Sequence, residues 1–258
     1  MIDLHCHILP GLDDGAGDFD TSLAIARVAA ADGVRVIAAT PHIREDHPFD
    51  PLEVVDRTAE LNDVLRRSGV ELEVVPGGEV AISKSAELDD ETLHALCLGG
   101  TGTGYLLVES PYTVATDLLE QALFNLQLRG FRVVLAHPER SPSFISGASR
   151  LRALVERGIL CSVTAASLEG NFGRTVRRAA LTLVRRGLAH DLASDAHDPR
   201  RRGPTLSGAV DVVERERPGL GRWLTEGAPS AMLAGEALPA APGERAGRLS
   251  SLLGRRRM

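Results

Sequence analysis

Short β-branched and aliphatic runs alternate along the chain with longer stretches whose apolar residues recur at helical spacing, the pattern of repeated βα units. Seven strands are predicted, at Ile2–His7, Val34–Thr40, Leu72–Pro76, Tyr105–Glu109, Arg132–Ala136, Leu160–Thr164 and Asp191–Ser194. Between them the pattern predicts helices near Thr21–Asp32, Pro51–Arg67, Val114–Leu128, Ala148–Arg157 and Arg174–Arg186. Gly33, Gly69, Gly130, Gly158 and Gly187 each follow a helical stretch by a residue or two, where a left-handed C′ position favours glycine.

Ionisable residues gather at the ends of these strands. His5 and His7 stand at i, i+2 on the first strand, so both imidazoles project from one face and can reach one ion. The second strand runs into His42, the third into Glu79, the fourth ends on Glu109, the fifth is followed by His137, and the seventh by Asp195 and His197. In a parallel α/β barrel the C-terminal strand ends converge on one face, where such folds place their chemistry. With Asp14, in the loop after the first strand, the candidate metal ligands are His5, His7, Asp14, His42, Glu79, Glu109, His137, Asp195 and His197. At three or four protein ligands per ion they suit two or three ions with a shared carboxylate, and the nitrogen and oxygen donors favour manganese, iron or zinc. A lone histidine at a strand end is more often a surface or capping group; five of the chain's eight histidines at strand ends is a different pattern. Of the others, His47 is placed at the pocket rim, His94 in a helix or loop, and His190 at the wrong end of its strand. Cys6 faces away from His5 and His7 and is read as core packing.

Arg140 follows His137 by three residues, and Arg200, Arg201 and Arg202 follow His197. Guanidinium groups on this face would bind a phosphate bidentately. Three divalent ions against four carboxylates would leave the cluster about +2, suited to a dianion.

Composition narrows the classes. A chain of 258 residues, 43% hydrophobic, fits one large α/β domain, and only 3% aromatics implies a core of Ala, Val, Leu and Ile. A net charge of −6 disfavours a nucleic-acid partner, and no apolar run reaches the ~18 residues of a membrane span. Nothing at Met1–His5 resembles a secretory signal, so a cytoplasmic protein is expected. Cys6, Cys97 and Cys161 are scattered, and the positions six residues after them hold Leu12, Thr103 and Ser167, so the C-x5-R loop of cysteine-dependent phosphatases is absent. The run G-G-T-G-T-G at Gly99–Gly104 leads into a strand rather than a helix, which excludes a P-loop or dinucleotide reading. The domain is expected to span 1–238, with 239–258 a disordered basic tail.

The opening I-D-L-H-C-H-I-L-P-G-L-D-D-G-A, with A-T-P-H at 39–42, P-G-G-E at 76–79, L-L-V-E at 106–109, A-H-P-E-R at 136–140, T-A-A-S-L-E-G-N-F-G at 164–173 and A-S-D-A-H at 193–197, resembles the PHP superfamily. The resemblance is to its bacterial CpsB/YwqE-type protein-tyrosine phosphatase branch, linked to capsule and exopolysaccharide synthesis. It implies a distorted seven-stranded (β/α) barrel with a trinuclear centre, usually assayed with manganese. It further implies His5, His7, Glu79 and Asp195 on one metal, Glu79, Glu109 and His137 on a second, Asp14, His42 and His197 on a third, and Arg140 and Arg202 on the phosphate. The loop Ile43–Asp50 departs from the family pattern.

The expected reaction is phosphomonoester hydrolysis by a metal-bridging hydroxide, with a phosphotyrosine protein, such as a bacterial tyrosine kinase, as substrate and partner. Alternative readings are a phosphatase for a small metabolite such as histidinol phosphate, and a non-catalytic metal-binding or kinase-docking module.

Overall fold

Parallel pairing organises the computed structural model, which describes residues 1–109, 117–145 and 148–243. Among the described residues the strands are β1 (Ile2–Cys6), β2 (Val36–Ala39), β3 (His42–Ile43), β4 (Glu73–Pro76), β5 (Glu79–Ala81), β6 (Tyr105–Glu109), β7 (Arg132–Ala136), β8 (Leu160–Thr164) and β9 (Asp191–Ala193). They form a three-stranded sheet in the order β1-β2-β4 and a six-stranded sheet in the order β3-β5-β6-β7-β8-β9.

Two predicted strands thus split in two. Thr40-Pro41 separates β2 from β3, and Gly77-Gly78 separates β4 from β5. Proline has no N–H to give to a ladder, and glycine weakens a strand interior, so both interruptions have a local cause. On each side of the breaks the same neighbours meet: β2 pairs with β4 and β3 with β5. The sheets are also tied at their other edges. Asp195 N donates to His5 O at 2.8 Å and His7 N to Ala196 O at 2.8 Å, bringing the end of β9 alongside β1.

The helices are α1 (Phe19–Ala31), α2 (Glu53–Arg67), α3 (Asp90–Ala95), α4 (Asp117–Leu128), α5 (Pro142–Ile145), α6 (Ala148–Glu156), α7 (Ala165–Glu169), α8 (Gly173–Arg185) and α9 (Ser207–Glu216). Residues 114–116 of the predicted fourth-strand helix lie outside the described residues. A continuous run then follows through α10 (Leu220–Arg222), a π-helical segment (Trp223–Gly227) and α11 (Ala228–Leu233). The predicted helices do not include this last run, which Gly227 and Pro229 punctuate. Its apolar side chains instead override local propensity: Ala228 and Met232 pack with Leu4, Ala38, Leu98, Tyr105, Leu107, Val134 and Ala136 in one buried cluster. The larger core lies between strands and helices and includes Cys6, Ile25, Ile37, Leu61, Val108, Leu135 and Leu183.

No helix among the described residues is long and apolar enough to cross a membrane. Beyond Leu238 the chain stays docked, with Pro239 O accepting from Trp223 Nε1 at 3.1 Å and Pro242 O from Arg217 Nη2 at 2.9 Å. The remainder of the predicted tail, 244–258, lies outside the described residues.

Candidate metal centre

The strand ends bring all nine predicted ligands to one face, and eight of them are buried; Asp14, with its side chain 53% exposed, is the exception. Four overlapping groups have donor atoms within 4.8 Å of one another: His5, His7 and Asp195; His5, Glu79 and His137; His42, Glu79 and Glu109; His7, Asp14, His42 and His197. Glu109 therefore groups with His42 rather than with His137.

The spacing within these groups is that of ligands. Donors bound to a common ion at about 2.0–2.2 Å stand about 3.0–3.6 Å apart. His5 Nε2 and His7 Nε2 are 3.2 Å apart, and they lie 3.5 and 3.4 Å from Asp195 Oδ1 and 3.3 and 3.5 Å from Glu79 Oε2. Asp14 Oδ1 lies 3.5 Å from His42 Nε2 and 3.3 Å from His197 Nε2. Glu79 Oε2 and His197 Nε2 are buried yet make no hydrogen bond of good geometry among the described residues. Buried polar atoms left in this way cost free energy unless something else engages them, so the donor set fits divalent ions.

The supporting groups orient the rings. His7 Nδ1 contacts Asp13 Oδ2 at 2.6 Å, leaving Nε2 toward the cluster, and His197 Nδ1 lies 3.0 Å from Asp195 O with the same effect. Asp13 is the residue the sequence reading passed over in favour of Asp14. It also accepts from His42 N at 2.9 Å and Gly15 N at 2.9 Å, tying three parts of the site together. Gly15 is required there, since a Cβ would stand 2.2 Å from His7 O. The only signal for Asp13 was the acidic pair followed by glycine. His137 and Asp195 have φ of 35° and 53°, left-handed values that non-glycine residues avoid. Such strain persists where surrounding structure fixes it, and here it turns two donors inward.

Electrostatics follow from the crowding. Burial opposes ionisation of Glu79, yet His5, His137 and His42 hold its carboxyl well below the usual range. Burial likewise opposes ionisation of Asp195, and His5, His7, Arg140 and His137 override it. Glu109 is pushed up by burial and by the like charge of Glu79. Burial and the Arg140 charge lower His137 to about 4; burial and the neighbouring His7 lower His197 to about 3. Both rings are thus neutral at physiological pH, the form that binds metal.

Two guanidinium groups meet beside this cluster. Arg140 Nη1 lies 2.7 Å and Arg202 Nη2 2.9 Å from the same oxygen, Asp195 Oδ2. Arg200 and Arg201 are exposed, and their backbone N–H groups donate to Asp198 Oδ1. Of the three consecutive arginines, the structure brings Arg202 to the site. His47 stacks on His42 with ring centroids 5.7 Å apart, at the rim. His94 lies on α3, and His190 accepts from Cys161 N at 3.1 Å, away from the centre. Arg44, missed in the sequence because its loop matches no pattern, pairs with Glu109 Oε1 at 3.1 Å and with Asp46. A cleft of about 460 Å³ opens next to it, lined by Arg44, Glu45, Asp46, Ala81, Ile82, Ser83 and Glu109. The Gly99–Gly104 loop leads into the N-terminal end of β6, opposite the strand ends that carry the cluster.

Known proteins share this arrangement of sequence and fold. The chain is 39% identical over 217 residues to the tyrosine-protein phosphatase YwqE of Bacillus subtilis, covering 84% of this chain and 85% of that protein. It is 32% identical over 200 residues to the putative tyrosine-protein phosphatase CapC of Staphylococcus aureus, covering 76% and 77%. A crystal structure from work on B. subtilis YwqE and Streptococcus pneumoniae CpsB, described as unique metal-dependent tyrosine phosphatases, superposes with a TM-score of 0.86 at 38% identity, over 95% of this chain and all of that one. The family model for capsular polysaccharide synthesis, CpsB/CapC, matches residues 1–219, and the chain belongs to that family.

Proposed function

We propose that this protein is a metal-dependent phosphatase that hydrolyses phosphotyrosine in proteins, a bacterial tyrosine kinase being the expected class of partner and the cytoplasm its place of action. The observation that carries the reading is the convergence of Arg140 and Arg202 on one carboxylate oxygen whose partner oxygen faces His5 and His7. That arrangement presents two forks of donors to an anionic oxygen beside the polydentate cluster.

We read the fold as a distorted seven-stranded barrel formed by residues 1–238, counting β2 with β3 and β4 with β5 as single interrupted strands. The same-neighbour pairing across each break and the β9-to-β1 hydrogen bonds support it. His5, His7, Asp14, His42, Glu79, Glu109, His137, Asp195 and His197 would hold two or three divalent ions, manganese first among them, with Glu79 shared between groups. When bound, such ions supply a water of lowered pKa and positive charge against the phosphoryl oxygens.

The chain's own residues do the rest. Arg140 and Arg202 orient the phosphate and neutralise its outer oxygens. Asp13 fixes His7 so that the same ring nitrogen always faces the centre. None of the three cysteine thiols is suited to serve as nucleophile, because burial pushes those of Cys6 and Cys161 far up and that of Cys97 to about 12. A tyrosyl leaving group of pKa about 10 places little demand on a general acid.

The test is hydrolysis of p-nitrophenyl phosphate and of a phosphotyrosine peptide by metal-stripped protein, before and after addition of Mn²⁺, with His5→Ala as control. Manganese-dependent release from the peptide, lost in the variant, is expected. Activity on neither substrate with metals bound would contradict the reading.

A further inference from the structure

With β2–β3 and β4–β5 each counted as one interrupted strand, β8 is the strand among the described residues whose C-terminal end supplies no candidate ligand, yet the segment that follows it is built against the H-P-E-R turn. Glu139 is buried at 1% exposure, and its Oε1 accepts from Thr164 N at 3.0 Å and from Ser167 Oγ at 2.7 Å. Those two donors come from the end of β8 and from α7, so the residue preceding Arg140 is locked to this segment. Next along the chain, Phe172 places its ring under the Arg140 guanidinium, with Cζ 5.0 Å from the centroid. The loop that carries Phe172 is itself held, with Arg177 Nε donating to Leu168 O at 2.9 Å. Phe172 remains 37% exposed, whereas the Arg140 side chain is 9% exposed. A large aromatic left half in water at this position is not explained by core packing alone.

From this geometry we infer that Phe172 is a positioning residue for phosphate recognition, its ring face fixing the plane of the Arg140 guanidinium while Glu139, Thr164 and Ser167 fix the backbone beneath it. The physical basis is the negative face of the aromatic quadrupole, which attracts a guanidinium most strongly when the pair is partly desolvated. An arginine on a flexible stem loses entropy when it grips a phosphate; one already held flat against a ring loses less. The β8 segment thus contributes pre-organisation where the other strands contribute donors. The inference rests on the phosphatase reading for its biological meaning, though anion binding can be measured without turnover.

The experiment compares Phe172→Leu, which keeps apolar bulk and loses the quadrupole, with Phe172→Tyr, which keeps it, in the full-length metal-loaded chain. Three readouts are taken: the dissociation constant for inorganic phosphate by calorimetry, kcat/KM for p-nitrophenyl phosphate, and the ¹⁵N side-chain resonance of Arg140 in arginine-labelled protein. Phe172→Leu is expected to weaken phosphate binding and lower kcat/KM about fivefold to tenfold, the size of a partly buried cation–π contact. It also moves the Arg140 resonance through loss of the ring current. Metal content stays the same, and Phe172→Tyr restores all three readouts. Unchanged phosphate affinity in Phe172→Leu, or equal losses in both variants, would overturn the inference. If no variant, wild type included, turned over substrate while phosphate binding still fell in Phe172→Leu alone, the phosphatase reading would fail and the positioning role would stand.

Discussion

Asp191 and Asp195 lie four residues apart at the start and just past the end of β9; both are buried, yet their carboxyls behave in opposite ways. Burial dominates at Asp191 and, with the like charge of Asp3 beside it, raises the pKa to about 7 against one lowering hydroxyl, Ser162 Oγ at 2.6 Å. Asp195 experiences the same burial but faces His5, His7, Arg140 and His137, which hold it well below the usual carboxylate range. Within four residues the interior passes from a carboxyl whose protonated form burial favours to one held as the anion. Low dielectric alone does not make a metal site. The imidazoles and guanidiniums that other strand ends deliver decide which buried carboxyl is ionised.

The upper end of that contrast breaks most completely when the ions are removed. Chelation should reduce phosphatase activity to background, while alkylation of the native protein with iodoacetamide leaves it intact, since Cys6, Cys97 and Cys161 are all buried; both are read by p-nitrophenyl phosphate turnover. Next in size is the arginine pair. Arg140→Ala should lower kcat/KM by about 10² to 10³, the scale of a lost preorganised donor. Arg202→Ala should cost less, because its side chain is 35% exposed against 9% for Arg140 and its charge is better screened.

The lower end of the contrast shows in stability rather than turnover. Because the folded pKa of Asp191 lies above its unfolded value of 3.8, the folded state binds the extra proton between pH 4 and about 7. Its contribution is therefore full below pH 4 and is lost as pH rises through 7, by up to about 1.4 kcal/mol per pH unit. Urea melts of metal-free wild type and Asp191→Asn, compared pH by pH, isolate this contribution: the stability advantage of wild type over the variant should shrink as pH rises from 4 to 7.

The smallest effect is on the acid side, at His190. Burial lowers its pKa from 6.5 to about 4, so the stability it contributes is present above 6.5 and is lost as pH falls to 4. Relative to wild type, His190→Asn, which can still accept from Cys161 N, should remove that dependence, up to about 1.4 kcal/mol per pH unit over the narrower span from pH 4 to 6.5.

Much of this was legible in the sequence, for identifiable reasons. Parallel strands buried on both faces read as clear aliphatic runs, and the i, i+2 pair His5/His7 declares a shared face without tertiary information, whereas Asp195 and His197 are brought in by a turn beyond β9. The splitting of β2 from β3 and β4 from β5 was marked only by Pro41 and by Gly77-Gly78, which also suit a plain strand end. Asp13 and Asp14 are adjacent and chemically identical; the fold of their loop onto His7 makes one an orienting partner and leaves the other facing His42 and His197. The contacts of Arg44 and Phe172 depend on where loops land, and neither periodicity nor spacing encodes that.

The most direct test of the account is anomalous diffraction at the manganese edge from crystals grown with Mn²⁺. Two or three peaks inside the His5–Glu79–Asp195–His197 cluster, with Glu79 reaching more than one of them, are the expected result. A catalytically active crystal form with no peak in that cluster would contradict it.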